Sequence, residues 1–355
     1  MAEERIIAHA TLRDYARRVL VQAGMSEDDA STVADIQIDA DLRGVHTHGA
    51  AGLLGYVRRI RAGGANARAV PRVVSSAPGV ALVDGDNGLG QVVAHYAMTI
   101  AIAKALETGI GAVTVRNSSH FGAAGHYAMM ALEHDLIGSA TTSAGCRIAA
   151  WGGKQPVVGN NPLAYAIPAG QEWPIVLDMA QSVVAAGKLA MAIRKGEQIP
   201  TGWALGRDGK PTTDPSEGQR GLLVPVGGPK GVGLAVVMDT LSGVMSGSLF
   251  GLALAQPHTP ENPSGLGHFF LALDPGRFMP IAEFKERVDT MIRDIKTSER
   301  AEGVDRLYLP GEIEFELRRQ RQEVGIPLLA SLVDDLVALA NELGLDGASL
   351  LPTRT

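Results

Sequence analysis

Residues 80–122 read VALVDGDNGLGQVVAHYAMTIAIAKALETGIGAVTVRNSSHFG, and the order of patterns in this stretch decides the fold class. Val80 to Val83 is a short apolar run closed by the turn-prone Asp84-Gly85-Asp86-Asn87-Gly88, as in a strand that ends in a tight loop. A helix follows from Val92 to Glu107 and stops at Gly109. A second strand, Gly111 to Val115, then leads directly into Asn117-Ser118-Ser119-His120-Phe121-Gly122. The alternation continues with a helix at Gly125 to His134 and strands at Leu136 to Thr142, Leu163 to Ile167 and Ile175 to Leu177. Strands that alternate with helices in this way predict an α+β (mixed α/β) core.

Toward the N-terminus the period changes to that of helices alone. Leu12, Tyr15, Ala16, Val19 and Leu20 fall at helical spacing between Ala10 and Ala23, and Gly24 suits the stop. Ser26 followed by Asp28 and Asp29 predicts the cap and acidic first turn of a second helix. A third is expected from about Ala51 to Arg61, ending at Gly63-Gly64. Near the other end, Ala282 to Lys296 and Pro327 to Leu343 read as helices. Residues 196–230 are rich in Gly, Pro, Asp and Thr and read as a long surface excursion.

The chain has 355 residues, 46% hydrophobic and 20% charged, which predicts a globular protein of about two domains with a large core. A net charge of -6 gives no electrostatic reason to bind nucleic acid or an acidic membrane surface. The single cysteine, Cys146, rules out an internal disulfide and a multi-cysteine zinc site and fits a reducing cytoplasm. Met-Ala-Glu-Glu-Arg opens the chain with no apolar core behind it, so no signal peptide is expected. Leu234 to Gln256 is long enough for a membrane span of ~20 residues. Asp239, Ser242, Ser246, Ser248 and several glycines interrupt it, so a buried helix followed by a tight turn is the expectation.

Generic nucleotide motifs fail. There is no P-loop, and Gly88-Leu89-Gly90 and Gly231-Val232-Gly233 both lack the third glycine and the context of a Rossmann fingerprint. Two histidines stand out instead. His48 lies in Arg43-Gly44-Val45-His46-Thr47-His48-Gly49, and His120 follows a strand in a segment of small residues. Ends of strands are where such sheets build sites. A hydroxyl at Thr47 and a carboxylate at Asp178 would orient and tune the His48 imidazole for proton transfer; the competing reading makes each histidine a satisfied loop residue. His46-x-His48 would bind a metal on a strand, the basis of an alternative as a metal-dependent hydrolase. It lies between helical patterns without a second ligand cluster, so no metal is expected. The amides of Asn160-Asn161-Pro162 would either hold a substrate carbonyl or bond their own backbone. Asp178 is expected to cap a helix after the strand Ile175 to Leu177, with free N–H groups that suit a phosphate or ribose.

Ten segments occur in order: Arg43-Gly44 through Gly49, Asn117 to Gly122, Trp151-Gly152-Gly153, Gly159 to Pro162, Leu177 to Ala180, Gly202-Trp203-Ala204, Pro211 to Pro215, Lys230-Gly231 with Leu241-Ser242-Gly243, His268-Phe269-Phe270, and Leu309 to Glu312. Together they resemble the type-2 malate/L-lactate dehydrogenases, a family that includes ureidoglycolate, sulfolactate, diketogulonate and Δ1-piperideine-2-carboxylate oxidoreductases, over nearly the whole chain. The resemblance implies a non-Rossmann mixed-sheet nucleotide-binding core at 71–314 and a helical domain from 1–70 plus 315–355 that carries the His48 segment. It implies hydride transfer between NAD or NADP, with NAD taken first, and C2 of a 2-hydroxy or 2-oxo acid. The alternatives are a 2-imino acid reductase and a catalytically impaired nucleotide-binding relative. A small-molecule substrate and a homodimer follow from the same resemblance. His48, supported by Thr47 and Asp178, is similar to the family's acid-base histidine, and His120 to a second site histidine assigned as proton acceptor in some members. Tyr56, Arg147 and Asn161 are the expected substrate contacts. His120, Phe121, Gly122, Ala123, Ala124, Thr142, Ser143, Asp178, Met179, Ala180, Gly228, Pro229, Lys230, Pro310, Gly311 and Glu312 resemble the cofactor-binding stretches.

Three positions depart from that pattern. The usual arginine four residues after the histidine, which grips the substrate carboxylate as a fork, is Gly52. His46-Thr47 replaces an acidic-Ser pair, and Pro229 replaces the aromatic before Lys230. Arg147 stands where the family has a small residue, which makes it the expected replacement for the missing arginine.

Overall fold

The computed structural model describes residues 3–254 and 259–352. In chain order its elements are β1 (Glu4–Ile7), α1 (His9–Gln22), α2 (Glu27–Leu42), α3 (Leu53–Ala62), β2 (Arg72–Ala77), β3 (Val80–Asp84), α4 (Gly90–Thr108), β4 (Ile110–Ser118), α5 (Ala124–Met130), β5 (Ile137–Thr142), β6 (Cys146–Ala149), β7 (Pro156–Gly159), β8 (Leu163–Ile167) and β9 (Ile175–Met179). There follow α6 (Ala186–Lys195), β10 (Ala204–Leu205), β11 (Pro211–Thr212), α7 (Pro215–Arg220), β12 (Leu222–Leu223), α8 (Pro229–Asp239), β13 (Leu266–Leu273), α9 (Ile281–Thr297), α10 (Glu312–Val324), β14 (Ile326–Leu329), α11 (Ala330–Glu342) and α12 (Gly347–Leu350).

Three hydrophobic clusters organise these elements. The first joins α1, α2, α3, α11 and the β1–β14 ribbon around Leu12, Tyr15, Leu20, Leu53, Val57 and Leu336. The stripe read at Leu12, Tyr15, Ala16, Val19 and Leu20 is the face α1 buries, and Ser26 caps α2 by accepting from Asp29 N. The second cluster lies against a seven-stranded mixed sheet in the order β2-β3-β4-β13-β5-β8-β9. Only β3 and β4 pair in parallel, across the α4 crossover read from residues 80–122; every other pair is antiparallel. The third cluster holds Ile148, Val158, Leu189, Ile199, Ala204, Leu223 and Ala235.

Four expectations change. Residues 196–230 are no mere excursion: β10, β11 and β12 form a small sheet whose Ala204 and Leu223 enter the third cluster. Pro327 opens no helix, because Ile326–Leu329 pairs with Glu4–Ile7 before α11 begins. Asp178 caps no helix, since it lies within β9 opposite Ala164 of β8. The stretch from Leu234 is helical but buries only one face: Ala235, Met238, Asp239, Ser242 and Ser246 are buried, while Leu234, Val237, Met245, Leu249, Phe250 and Leu252 are exposed. Its last residues, 255–256, lie outside the described residues, as do 1–2 and 353–355.

Helices α4 and α5 approach the sheet at strand glycines. A Cβ on Gly111 would overlap the carbonyl oxygen of Ala101 in α4, and one on Gly138 that of Ala128 in α5. The obstacle is backbone in both cases, so a side chain must push the helix off the sheet. Gly111→Ala is therefore expected to destabilise the fold by about 1–3 kcal/mol, read as a lower denaturant midpoint.

Candidate active site

A cavity of about 1010 Å³ opens where the three clusters meet. His48 reaches it from a single turn of 3-10 helix, His46–His48, after α2. Asp41 of α2 fixes that turn: one carboxylate oxygen accepts from His46 Nδ1 and the other from Ala50 N, both at 2.7 Å. Arg321 of α10 donates to His46 Nε2 at 3.0 Å. Both nitrogens of His46 are thus engaged in hydrogen bonds, which removes the basis for the hydrolase alternative.

Thr47 Oγ1 lies 2.8 Å from His48 Nδ1. With Nδ1–H donating to that hydroxyl, Nε2 is left for a ligand. Burial lowers the pKa of His48, and the Asp178 carboxylate opposes the shift through its charge. No hydrogen bond joins the two side chains. Asp178 Oδ2 instead accepts from Gly125 N at the start of α5, at 2.7 Å. Burial raises the Asp178 pKa, against the Gly125 hydrogen bond and the charge of Arg43. The carboxylate is open to the cavity, yet the protein packed behind it disfavours its charge.

His120 lies 5.5 Å from His48, ring centre to ring centre, with the planes 17° apart. Its Nδ1 is 2.7 Å from the Tyr56 hydroxyl. Burial and then the neighbouring His48 lower its pKa, so the ring stays neutral. Tyr56 itself is buried in α3, where desolvation pushes its phenol up to about 12. Behind Tyr56, the Gln37 amide donates to the His48 carbonyl (3.1 Å) and that of Gly49, and accepts from Gln91 Nε2 (3.1 Å).

The expected cofactor stretches divide. Gly122, Ala123, Ala124, Met179, Ala180, Pro310 and Gly311 line the cavity. Phe121 borders it too, but its ring is 1% exposed and stacks on His268 at 4.8 Å. Thr142 and Ser143 line the wall with hydroxyls already bonded to the carbonyl of Gly267. His268, on the central strand β13, spans Thr142 Oγ1 (2.7 Å) and Ser118 Oγ (2.8 Å).

Three expectations fail geometrically. Asn161 is fully buried, and its amide bonds Ala144 N and the Ala235 carbonyl at 2.8 Å each, so it holds backbone and no substrate. Its neighbour Asn160 lines the cavity instead. Glu312 is turned away: its carboxylate meets Lys296 Nζ at 2.7 Å, Arg306 and Leu309 N, which ties down the Pro310–Gly311 corner. Gly228, Pro229 and Lys230 do not border the cavity; Pro229 and Lys230 are exposed and Gly228 faces the Trp151 ring. Arg43, at the head of the segment that carries His48, also lines the cavity; Arg59 and Lys188 line it too and were missed in the sequence, because an isolated arginine or lysine carries no local pattern. Arg147, on β6, borders the cavity as expected.

The wall fits a large ligand with phosphates. Gly122, Ala123, Ala124, Gly145, Ala180 and Gly187 leave the cavity unfilled, and Arg43 and Lys188 bring positive charge to its border.

Comparison with known proteins places this geometry. Residues 7–337 match the profile of the malate/L-lactate dehydrogenase family. A malate dehydrogenase of Pyrococcus horikoshii is 42% identical over 344 residues, covering 95% of both chains. The solved sulfolactate dehydrogenase of Methanocaldococcus jannaschii superposes with a TM-score of 0.88 at 39% identity, over 97% of this chain and 99% of that one. A malate dehydrogenase of Entamoeba histolytica gives 0.93 at 32% identity, over 97% and 99%.

His268 supplies a stability test. The ring is fully buried, and desolvation first, then His120, pushes its pKa down to about 3. A depressed folded value means full stability above the unfolded pKa near 6.5 and progressive loss as pH falls toward 3. Between pH 7 and 5 this one group is expected to remove about 2 kcal/mol, measured by urea unfolding at the two pH values. His268→Gln should reduce that dependence by the same amount.

Proposed function

The chain belongs to the malate/L-lactate dehydrogenase family, and from that premise we propose that His48 is its acid-base residue. The enzyme is an NAD(P)-dependent oxidoreductase that moves a hydride between nicotinamide and C2 of a 2-hydroxy or 2-oxo acid. One observation carries the assignment to His48: Thr47 occupies Nδ1 at 2.8 Å, which leaves Nε2 of this cavity-lining ring without a protein partner among the described residues, within reach of the Asp178 charge.

The nicotinamide, when bound, supplies or takes up the hydride. Gly122 to Ala124, Thr142 and Ser143, Met179 and Ala180, and Pro310 and Gly311 form the wall that would hold the dinucleotide. During oxidation, His48 Nε2 accepts the proton of the C2 hydroxyl as the C2–H electron pair departs and the C2=O bond forms. Thr47 holds the ring through Nδ1, and Asp178 stabilises the imidazolium by its charge. During reduction, Nε2 returns that proton to the carbonyl oxygen. Neutral His120, tied to Tyr56, is a hydrogen-bonding wall residue in this reading and carries no net proton.

The exposed apolar face of Leu234, Val237, Met245, Leu249, Phe250 and Leu252 supports a homodimer, because a patch of this kind on a globular chain is ordinarily an interface. No helix among the described residues is long and apolar enough to cross a membrane. The single cysteine supports work in the cytoplasm.

His48→Asn is expected to lower kcat by ~10²–10⁴-fold while NADH or NADPH still binds, read as nicotinamide fluorescence; unchanged turnover would reject the assignment. Titrating both dinucleotides also decides between them.

The pH profile tests Asp178 separately. Oxidation needs neutral His48, so kcat/KM falls on the acid side as the ring protonates. Asp178 raises the His48 pKa, so Asp178→Asn should move that acid limb to lower pH. A limb that stays or rises would uncouple the pair.

A further inference from the structure

We infer that Arg147 is the group that grips the substrate's acid in this chain, in place of a side chain at position 52; the inference deepens the dehydrogenase reading and rests on it. The argument begins at Gly52. A Cβ there would lie 2.9 Å from Tyr56 Cε2 and 3.0 Å from the Gln37 amide. The Tyr56 ring therefore holds the space a side chain would need. Tyr56 is itself fixed by its 2.7 Å hydrogen bond to His120. Position 52 does not border the cavity, so the α3 side offers no cation at that point.

Arg147 borders the same cavity from β6. Its Nε and Nη2 are shut off from water and have no hydrogen-bond partner among the described residues. These two nitrogens form one edge of the guanidinium, the fork that matches both oxygens of a carboxylate. Arg147 is half-buried, and the desolvation of this one edge has already taken place in the free protein. Burial accordingly lowers the Arg147 pKa with no acceptor to offset it. An acid anion in the cavity supplies what that edge lacks once the flexible side chain turns it inward. Of the other cations at the cavity, Arg59 donates to the carbonyls of Gly64 and Asn262, and Lys188 lies over the Trp203 ring at 5.9 Å. Arg43 makes no side-chain hydrogen bond among the described residues but stands with the Asp178 carboxylate beside Gly125, where its charge offsets that of Asp178. The ligand class is thus a small 2-oxo or 2-hydroxy acid bound by its carboxylate on the β6 side. A cofactor phosphate shares that anionic chemistry, and the test separates the two.

The probes are oxaloacetate and pyruvate as substrates, and oxalate as an unreactive anion titrated calorimetrically into the NADH-loaded and NADPH-loaded enzyme. Arg147→Ala and the size-conserving Arg147→Gln are expected to raise KM and the oxalate Kd roughly 10- to 100-fold, with kcat changed less. NADH and NADPH binding, read by fluorescence, should stay within about twofold, and methyl pyruvate, which carries no carboxylate, should lose the sensitivity. Arg147→Lys should recover only part of the affinity, because a point charge cannot form the fork. Adding Gly52→Arg to Arg147→Gln should not restore affinity, since Tyr56 and Gln37 hold that space. Unchanged oxalate binding in folded Arg147→Gln would overturn the inference. So would a loss confined to NADPH or to both dinucleotides, which would give the arginine to a phosphate, or a rescue by Gly52→Arg. If the unaltered enzyme turns over no 2-oxo acid, the dehydrogenase reading fails, while the oxalate titration still judges Arg147.

Discussion

The carboxylate of Asp41 is the constraint on which the site depends. Its side chain is 1% exposed, and its two oxygens fix opposite ends of the turn that carries His48, through His46 Nδ1 and Ala50 N. Burying a carboxylate is tolerable only when its acceptor sites are filled. The turn must therefore wrap the group closely, and Gly49 follows from that: a Cβ there would overlap the carboxylate itself. Arg321 closes the far side through His46 and the Asp41 carbonyl, which ties α10 to α2. The imidazole proposed as the acid-base group is thus positioned by a residue that does not border the cavity.

No one of the three hydrophobic clusters contains the site. The helical layer contributes His48 and Tyr56, the sheet contributes His120 and Asp178, and the lobe around β6 and α6 contributes Arg147 and Lys188. Each side chain stands at the end of an element, where side chains can converge without breaking a ladder or a helix. The cavity then persists because small residues line it; bulk at those positions would close the space between the clusters. The central strand β13 links the two sides of the sheet, and its His268 ties β4 to β5 through Ser118 and Thr142.

Local periodicity carried much of the fold. The strand–helix–strand order in residues 80–122 is the β3–α4–β4 crossover, and the apolar stripe of α1 is the buried one. What escaped was pairing at long range. The central strand β13 joins β4 and β5, more than a hundred residues earlier in the chain, and β1 pairs with β14 across almost the whole length. Nothing within Leu266–Leu273 or Ile326–Leu329 states its partner. The site divides in the same way. His48, Thr47, His120 and Asp178 are legible as a constellation, yet Asp178 also reads as the cap of a following helix, because an acidic residue after an apolar run has that pattern. Asn161 and Glu312 sit in the right segments with side chains turned to structural partners. Which way a side chain points depends on packing that spacing does not encode. The exposed face from Leu234 onward follows the same logic, since its apolar composition fits a core or an interface equally well.

Desolvation couples these features electrostatically. The protein packed around His48 lowers its pKa, and the nearby charge of Asp178 works against that shift. Packing likewise leaves one edge of Arg147 without an acceptor. A substrate carboxylate arriving alone would add negative charge and raise the proton affinity of His48 in step with binding. Paired with Arg147, its charge is largely cancelled where it sits. The proton affinity of His48 is then set first by its burial and, against that, by the charge of Asp178.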